Sequence, residues 1–177
     1  MDLSTILGWS ITTLIIAGLI VFLRIKKLKK KKQVLSVLQA FAKENNSEIS
    51  TYDTWDKTLI GIDDKEESKL FFIRSIPENE IRQVIVLSDV LDCKIAKTSR
   101  NMNFKGETAH VIDKIELVLS FSNKKPNIFL EFYNTDYDHL TLAGELQLAD
   151  KWLELIKKSI AKKQKKTTKH NNVQLDL

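Results

Sequence analysis

Cysteine, glycine and proline are scarce in this chain of 177 residues. Its one cysteine, Cys93, excludes an internal disulfide framework and fits a reducing compartment. Five glycines and two prolines are too few for a low-complexity linker. The chain also has no phosphate-cradling glycine loop, no nucleophile elbow and no kinase-type set of motifs. These absences remove several common classes of enzyme.

The residues that usually bind metals are also poorly placed. His110, His139 and His170 lie far apart, and none has a cysteine or a second histidine at ligand spacing. The acidic turn 63–67 lacks the glycine and the spacing of a calcium loop. We therefore expect no metal, no cofactor and no catalytic residue. A nucleophilic pair of Cys93 with a histidine is left open.

One long apolar run stands near the amino terminus. Ile6 to Leu23 contains eighteen residues without a charge, and as a helix it is about 27 Å long, enough to cross the hydrocarbon of a bilayer. The run predicts a single-pass transmembrane anchor. A cleaved signal peptide and a buried core helix are the alternatives. Both are disfavoured, because the positive charges follow the run instead of preceding it.

Seven cations follow this run within nine positions. They are Arg24, Lys26, Lys27, Lys29, Lys30, Lys31 and Lys32. Lysine and arginine beside a span stay on the cytoplasmic side. The cluster therefore predicts an inner-membrane protein with its N-terminus outside and a cytoplasmic C-terminal domain. Membrane lipid is an expected partner, with anionic headgroups binding at these cations.

The charge of the chain is unevenly distributed. Residues 46–151 carry thirteen Lys and Arg against nineteen Asp and Glu. This region is therefore acidic, although the whole chain has a formal net charge of +5 at pH 7. The lysine-rich stretch from Lys157 to Lys169 contains no arginine and no aromatic residue, so base stacking is unavailable there. We expect no nucleic-acid partner.

A helix is predicted after the cations. In residues 33–45, Val34, Leu38 and Phe41 recur at helical spacing, and Asn45-Asn46 is the expected end. Its apolar stripe could rest on the folded domain or lie among lipid headgroups.

Beyond residue 46 the apolar period shifts towards two, which predicts about seven short strands. They are expected near 47–52, 57–63, 69–74, 81–87, 91–95, 114–121 and 128–133, with a polar loop at 98–111. An amphipathic helix then runs from Leu142 to Lys163 with Trp152 beside its stripe. The expected divisions are an anchor (1–25), a juxtamembrane segment (26–45), a β domain with its helix (46–163) and a disordered basic tail (164–177).

This order of seven strands and one amphipathic helix resembles the pleckstrin-homology-like fold, in which the final helix closes one corner of a bent sheet. The likeness would cover residues 47–163. The predicted fold class is therefore α+β: a transmembrane helix, then an antiparallel seven-stranded barrel or sandwich with a C-terminal helix. The arrangement also resembles small bacterial membrane proteins with one span and a cytoplasmic domain.

The resemblance bears on function through the loop between the first two strands. Phosphoinositide-binding members have a basic loop there, whereas Tyr52 to Asp56 is acidic in this chain. The resemblance therefore implies a non-enzymatic interaction or scaffolding module with a protein partner. Tyr52 and Trp55 form a possible interaction patch, with burial in the core as the alternative. Two other hypotheses are an accessory subunit of a membrane complex, joined through the span or helix 33–45, and an enzyme with a hidden site.

Overall fold

In its described residues, the chain folds into two antiparallel sheets that pack with two helices. The computed structural model describes residues 18, 19, 22, 32–65, 68–104, 107–121 and 125–173. The helices are α1 (residues 32–44) and α2 (Glu145–Val173), and the strands are β1 (Thr51–Trp55), β2 (Thr58–Asp63), β3 (Lys69–Ile76), β4 (Asn79–Val86), β5 (Val90–Phe104), β6 (Glu107–Phe121) and β7 (Ile128–Asn134).

The seven strands do not close into a barrel. β1, β2, β3 and β4 form the first sheet in sequence order, and β5, β6 and β7 form the second. Within the described residues each sheet keeps two edge strands. The predicted fold class, a transmembrane helix followed by a seven-stranded barrel or sandwich, is therefore wrong, because the described strands form two sheets without a closed barrel and no described helix could span a membrane.

The predicted membrane anchor is also corrected. No helix in the part of the chain that the structure describes is long and apolar enough to cross a membrane. This finding contradicts the single-pass anchor and the inner-membrane location that followed from it. Of the run Ile6 to Leu23, only Gly18, Leu19 and Phe22 belong to the described residues.

Two further segments differ from expectation. Residues 98–104 and 107–111, predicted as a polar loop, belong to the long strands β5 and β6. Residues 164–173, predicted as a disordered tail, belong to α2. Neither segment has a clear apolar period, which is the sequence pattern that indicates a helix or strand with a buried face.

The first sheet is covered on both faces. Leu38 and Ala42 of α1 pack on one face against Phe71 and Ile73. The other face packs into the main core with the second sheet and α2. All residues from Leu70 to Arg74 are buried as a result. The apolar stripe of α1 therefore rests on the folded domain.

Gly61 allows α1 to approach this sheet closely. A Cβ at this position of β2 would lie 2.8 Å from Leu38 Cδ2 and 3.2 Å from both Ile49 Cγ2 and Ile49 Cδ1. Leu38 is fully buried, so it has little room to move. The missing side chain of Gly61 sets the distance between helix and sheet.

Arg74 joins the two sheets at one side. Its guanidinium is buried, with Nη2 at 2.6 Å from Asp138 Oδ2 and Nη1 donating to Thr58 Oγ1 at 2.8 Å. Nε lies 3.2 Å from Glu131 Oε1, an ion pair without hydrogen-bond geometry. The guanidinium also lies 5.2 Å from the Tyr137 ring centroid. One side chain thus links β2 and β3 to β7 and the turn after it.

Trp55 reinforces the same side. Its ring stacks on Phe132 of β7 with centroids 4.6 Å apart, and its Nε1 donates to the Phe132 carbonyl at 2.9 Å. Further along, Trp152 of α2 is fully buried and donates to Asp53 Oδ2 at 2.9 Å. The first sheet is therefore fastened to β7 and to α2.

We expect Gly61→Ala to lower the free energy of unfolding by about 1–3 kcal/mol, because the added methyl overpacks the contact with Leu38. Urea unfolding followed by circular dichroism measures this. Gly18→Ala is the matched control, since a Cβ there meets nothing within 4 Å. Equal stability of the two variants would contradict the close approach.

We expect Arg74→Met to lower the free energy of unfolding by about 3–5 kcal/mol, because it leaves two carboxylates without their buried cation. The control is Arg82→Met, which removes an exposed ion pair with Glu80 worth about 1 kcal/mol or less. Urea unfolding of both variants measures the two changes. A similar decrease in the free energy of unfolding in both would contradict the larger contribution of the buried Arg74.

Candidate functional site

The structure does not bring the predicted site residues together. Tyr52 packs with the α1 side of the first sheet, whereas Trp55 packs into the main core on the opposite side. They therefore form no single patch. Of the predicted headgroup-binding cations only Lys32 is described, as an exposed residue of α1. The other six, Arg24, Lys26, Lys27, Lys29, Lys30 and Lys31, lie outside the described residues.

The apolar stripe of α1 is occupied within the chain. Leu38 is fully buried, and the Phe41 ring meets the Phe71 ring edge-on at 5.7 Å. The Arg82 guanidinium lies 5.7 Å from the Phe41 ring centroid on another side. Leu38 and Phe41 therefore pack against the first sheet.

Cys93 is placed as a core residue. It is fully buried, and burial raises the pKa of its thiol to about 12. The thiol is therefore neutral at physiological pH and a poor nucleophile. Its β6 partner is Leu119, nine residues from His110 on the same strand, a separation of about 30 Å. Cys93 and His110 cannot form a nucleophilic pair. Within the described residues no group of three His, Cys, Asp or Glu is arranged to hold a metal ion.

The most accessible binding feature is the outer edge of β4. The Leu87 N–H donates to the Ser68 carbonyl at 2.9 Å, so the backbone of Leu87 faces β3. Backbone groups alternate in direction along an antiparallel strand, and the β3–β4 register continues without a shift. Gln83 and Ile85 therefore also face β3, while Arg82, Val84 and Val86 point their N–H groups away from it.

No strand lies on that outer side in the described part of the chain. The Val86 carbonyl accepts a hydrogen bond from the Asp89 N–H at 3.1 Å in the following turn. This leaves the N–H groups of Arg82, Val84 and Val86, and the carbonyls of Arg82 and Val84, along an open edge. Such a row can pair with another extended chain.

An apolar groove lies beside the end of this edge. It has a volume of about 310 Å³ and lies between β4 and the connection from β6 to β7. Its lining residues are Val84, Ile85, Val86, Asp89, Phe121, Lys125, Pro126 and Ile128. Six of these eight side chains are apolar, so the groove suits aliphatic or aromatic groups.

The charged side chains near this edge form pairs with one another. Lys125 Nζ lies 3.0 Å from Asp89 Oδ2, and Arg82 Nε lies 2.6 Å from Glu80 Oε1. All four side chains are exposed, so each pair contributes about 1 kcal/mol or less to stability. These four described side chains therefore carry no net charge as a group.

This site could not be predicted from the sequence pattern. β4 has apolar residues on both of its faces, such as Ile85 towards the core and Val84 towards α1. That composition predicts a buried strand and gives no sign that its outer edge is open. Edge position depends on the spatial order of the strands, which the pattern along one strand does not contain.

We expect Cys93 to react about a thousandfold more slowly with an aromatic disulfide reagent at pH 8 in the folded chain than in urea. The three-unit rise in pKa, from 9.0 to about 12, lowers the thiolate fraction by that factor. Between pH 9 and about 12 the thiol of the unfolded chain loses its proton while the folded thiol keeps it. The free energy of unfolding therefore falls as the pH rises through this range. Absorbance at two urea concentrations gives both rates, and equal rates would contradict the burial.

Comparisons of the chain with protein-family models, curated proteins and solved structures found no match. The resemblance to the pleckstrin-homology-like fold therefore stays a prediction. The functional argument rests on the geometry of the chain itself.

Proposed function

We propose that this chain is a non-enzymatic protein-interaction module that binds an extended segment of a partner protein along β4. The observation that carries the proposal is the open row of backbone groups at Arg82, Val84 and Val86 beside an apolar groove. The segment would add a fifth strand to the first sheet. In this mode main-chain hydrogen bonds supply affinity and side-chain pockets supply specificity.

The chemistry of the groove defines the partner segment. Alternate side chains of an added strand point to one face, so every second residue would reach Phe121, Pro126 and Ile128. These neighbours favour valine, isoleucine, leucine or phenylalanine at those positions. Because Asp89 pairs with Lys125 and Glu80 with Arg82, a charged side chain of the segment would meet charges that are already paired among these four residues. The expected segment is apolar at alternate positions and uncharged.

The rest of the fold supports a rigid site. β4 is held by β3 along its whole length, and β3 is buried on both faces. A strand held in this way loses little conformational freedom on binding, which lowers the free-energy cost of association.

We expect Val84→Pro to weaken binding of an edge-pairing peptide at least tenfold, because proline removes an outward N–H and its ring blocks the approaching strand. The probe is a peptide selected on the full chain from a random dodecapeptide display library. Selected peptides should carry aliphatic residues at alternate positions. Fluorescence anisotropy gives the dissociation constants.

Val84→Ala is the matched control, since it shortens the same side chain and keeps the N–H group. It should change affinity less than threefold, and both variants should give the wild-type circular dichroism spectrum. Peptides that bind wild type and Val84→Pro equally well would argue against β4 as the binding edge. A library that yields only highly charged binders would count against the proposed partner chemistry.

A further inference from the structure

Two side chains on the core-facing side of β4 are incompletely packed or paired. Gln83 lies opposite Phe72 of β3, and its Oε1 atom is buried without a hydrogen-bond partner among the described residues. A buried carbonyl without a partner costs about 1–3 kcal/mol. Ile81 lies two residues earlier on the same face, is half-buried and belongs to neither core cluster. Both residues stand on the open edge strand, where an added strand would lie beside them.

We propose that β4 binds β4 of a second copy of this chain, antiparallel, with a two-fold axis at Gln83. The proposal rests on the same open edge as the proposed function, and the second copy covers this edge until a partner segment displaces it. The two four-stranded sheets become one continuous sheet. Antiparallel pairing of a strand with its own copy is compatible with a closed two-fold dimer, the commonest form of oligomer.

The backbone groups of this edge are self-complementary in that register. Arg82 faces Val84 of the second copy, so the outward N–H and carbonyl groups of both residues pair. Val86 faces Glu80 of the second copy. The Glu80 N–H already donates to the Oδ1 atom of the preceding residue at 2.8 Å, and the Val86 carbonyl already accepts from the Asp89 N–H at 3.1 Å. These two occupied groups therefore face each other, while the outward Val86 N–H meets the outward Glu80 carbonyl.

The side chains also complement each other about the axis. The two Gln83 residues form a non-hydrogen-bonded pair, in which Cα atoms lie about 4.5 Å apart. Each amide can then donate from Nε2 to the Oε1 atom of the other. Ile81 faces Ile85 of the second copy, which lines the apolar groove, so its exposed surface becomes covered. Glu80 and Arg82 already pair within each copy at 2.6 Å, so neither needs a charged partner.

The two neighbouring registers satisfy fewer of these groups. Moving the axis to Arg82 places the two arginines directly opposite each other, and like charges in that position are destabilising. Moving it to Val84 places Gln83 opposite Ile85, which cannot donate to the buried Oε1 atom. That register also aligns the Arg82 N–H with the occupied Val86 carbonyl.

More distant registers pair a shorter stretch of β4. With the axis at Ile81, Val84 and Val86 fall beyond the strand of the second copy. With the axis at Ile85, Arg82 falls beyond it. The proposed axis keeps all three opposite strand residues. This self-complementarity favours a second copy over an unrelated strand.

The helices leave room for this pairing. α1 packs over β2 and β3, with Leu38 at Gly61 and Phe41 at Phe71. In the joined sheet the two β3 strands are separated by three strand spacings, about 14 Å. Packed helices need about 8–10 Å between their axes, so the two copies of α1 fit side by side.

The dimer should be weak and reversible, because only one strand of eight residues from each copy enters the contact. The edge amides of Arg82 and Val84 therefore still exchange with solvent through the free monomer. Their exchange remains much faster than that of the amides that face β3. A partner segment can reach the edge in the same way.

Sedimentation velocity of the full chain from about 1 to 100 µM measures the dimer. Wild type should show a concentration-dependent equilibrium between monomer and dimer. Val84→Pro should weaken it at least tenfold, because an outward N–H is lost, whereas Val84→Ala should change it less than threefold. A wild-type chain that stays monomeric throughout this range would overturn the proposal. Equal association of wild type and Val84→Pro would place the contact elsewhere.

Cysteine crosslinking tests the position of the axis. Gln83→Cys should form a disulfide-linked dimer with diamide, because facing residues of a non-hydrogen-bonded pair lie within disulfide range. Ile81→Cys is the matched control, since its two copies are offset by four residues along the strands, about 13 Å. The native Cys93 is buried. Crosslinking that is absent in Gln83→Cys, or equal in the two variants, would rule out this axis.

The peptide selected for the β4 edge separates the dimer from the proposed function. At saturation it should convert the dimer to monomer, since both bind the same edge. A monomeric wild type that binds the peptide more tightly than Val84→Pro does would refute the dimer alone. A dimer that Val84→Pro disrupts, with peptides that bind both chains equally, would refute the proposed function alone.

Discussion

The buried guanidinium of Arg74 fastens the two sheets to each other along one side. Its bonds to Thr58 and Asp138 and its ion pair with Glu131 bring β3 against β7, and Trp55 stacks on Phe132 beside them. A buried cation with these partners has few alternative positions, because moving it away would leave buried charges unpaired. The side with β4 has no equivalent connection among the described residues. One side is therefore closed, and the other keeps an open edge.

The strand beside the open edge is firmly held. β3 is covered by α1 on one face and by the main core on the other, and Gly61 of β2 allows that helix to lie close. β4 therefore presents its outward backbone groups from a supported sheet.

The positions of most strands along the chain could be predicted from the sequence. Alternating apolar residues in 115–121 and 128–132 placed β6 and β7, because each has one buried face. The far end of β5 could not be predicted in this way, since residues 99–103 are exposed and owe their strand conformation to pairing with β6. The prediction that Tyr52 and Trp55 form one patch could have been rejected from the sequence, because residues three apart on a strand point to opposite faces.

The candidate site could not be predicted from the sequence for a different reason. Whether strands close into a barrel depends on contacts between distant segments, such as Arg74 with Asp138, and no local pattern specifies them.

The most direct test of the open edge is residue-specific amide hydrogen exchange along β4 by NMR. Arg82 and Val84 should exchange rapidly, while Gln83 and Ile85, which face β3, should exchange slowly. Uniformly slow exchange at all four amides would mean that another strand covers this edge, and it would contradict the open side on which the proposed function depends.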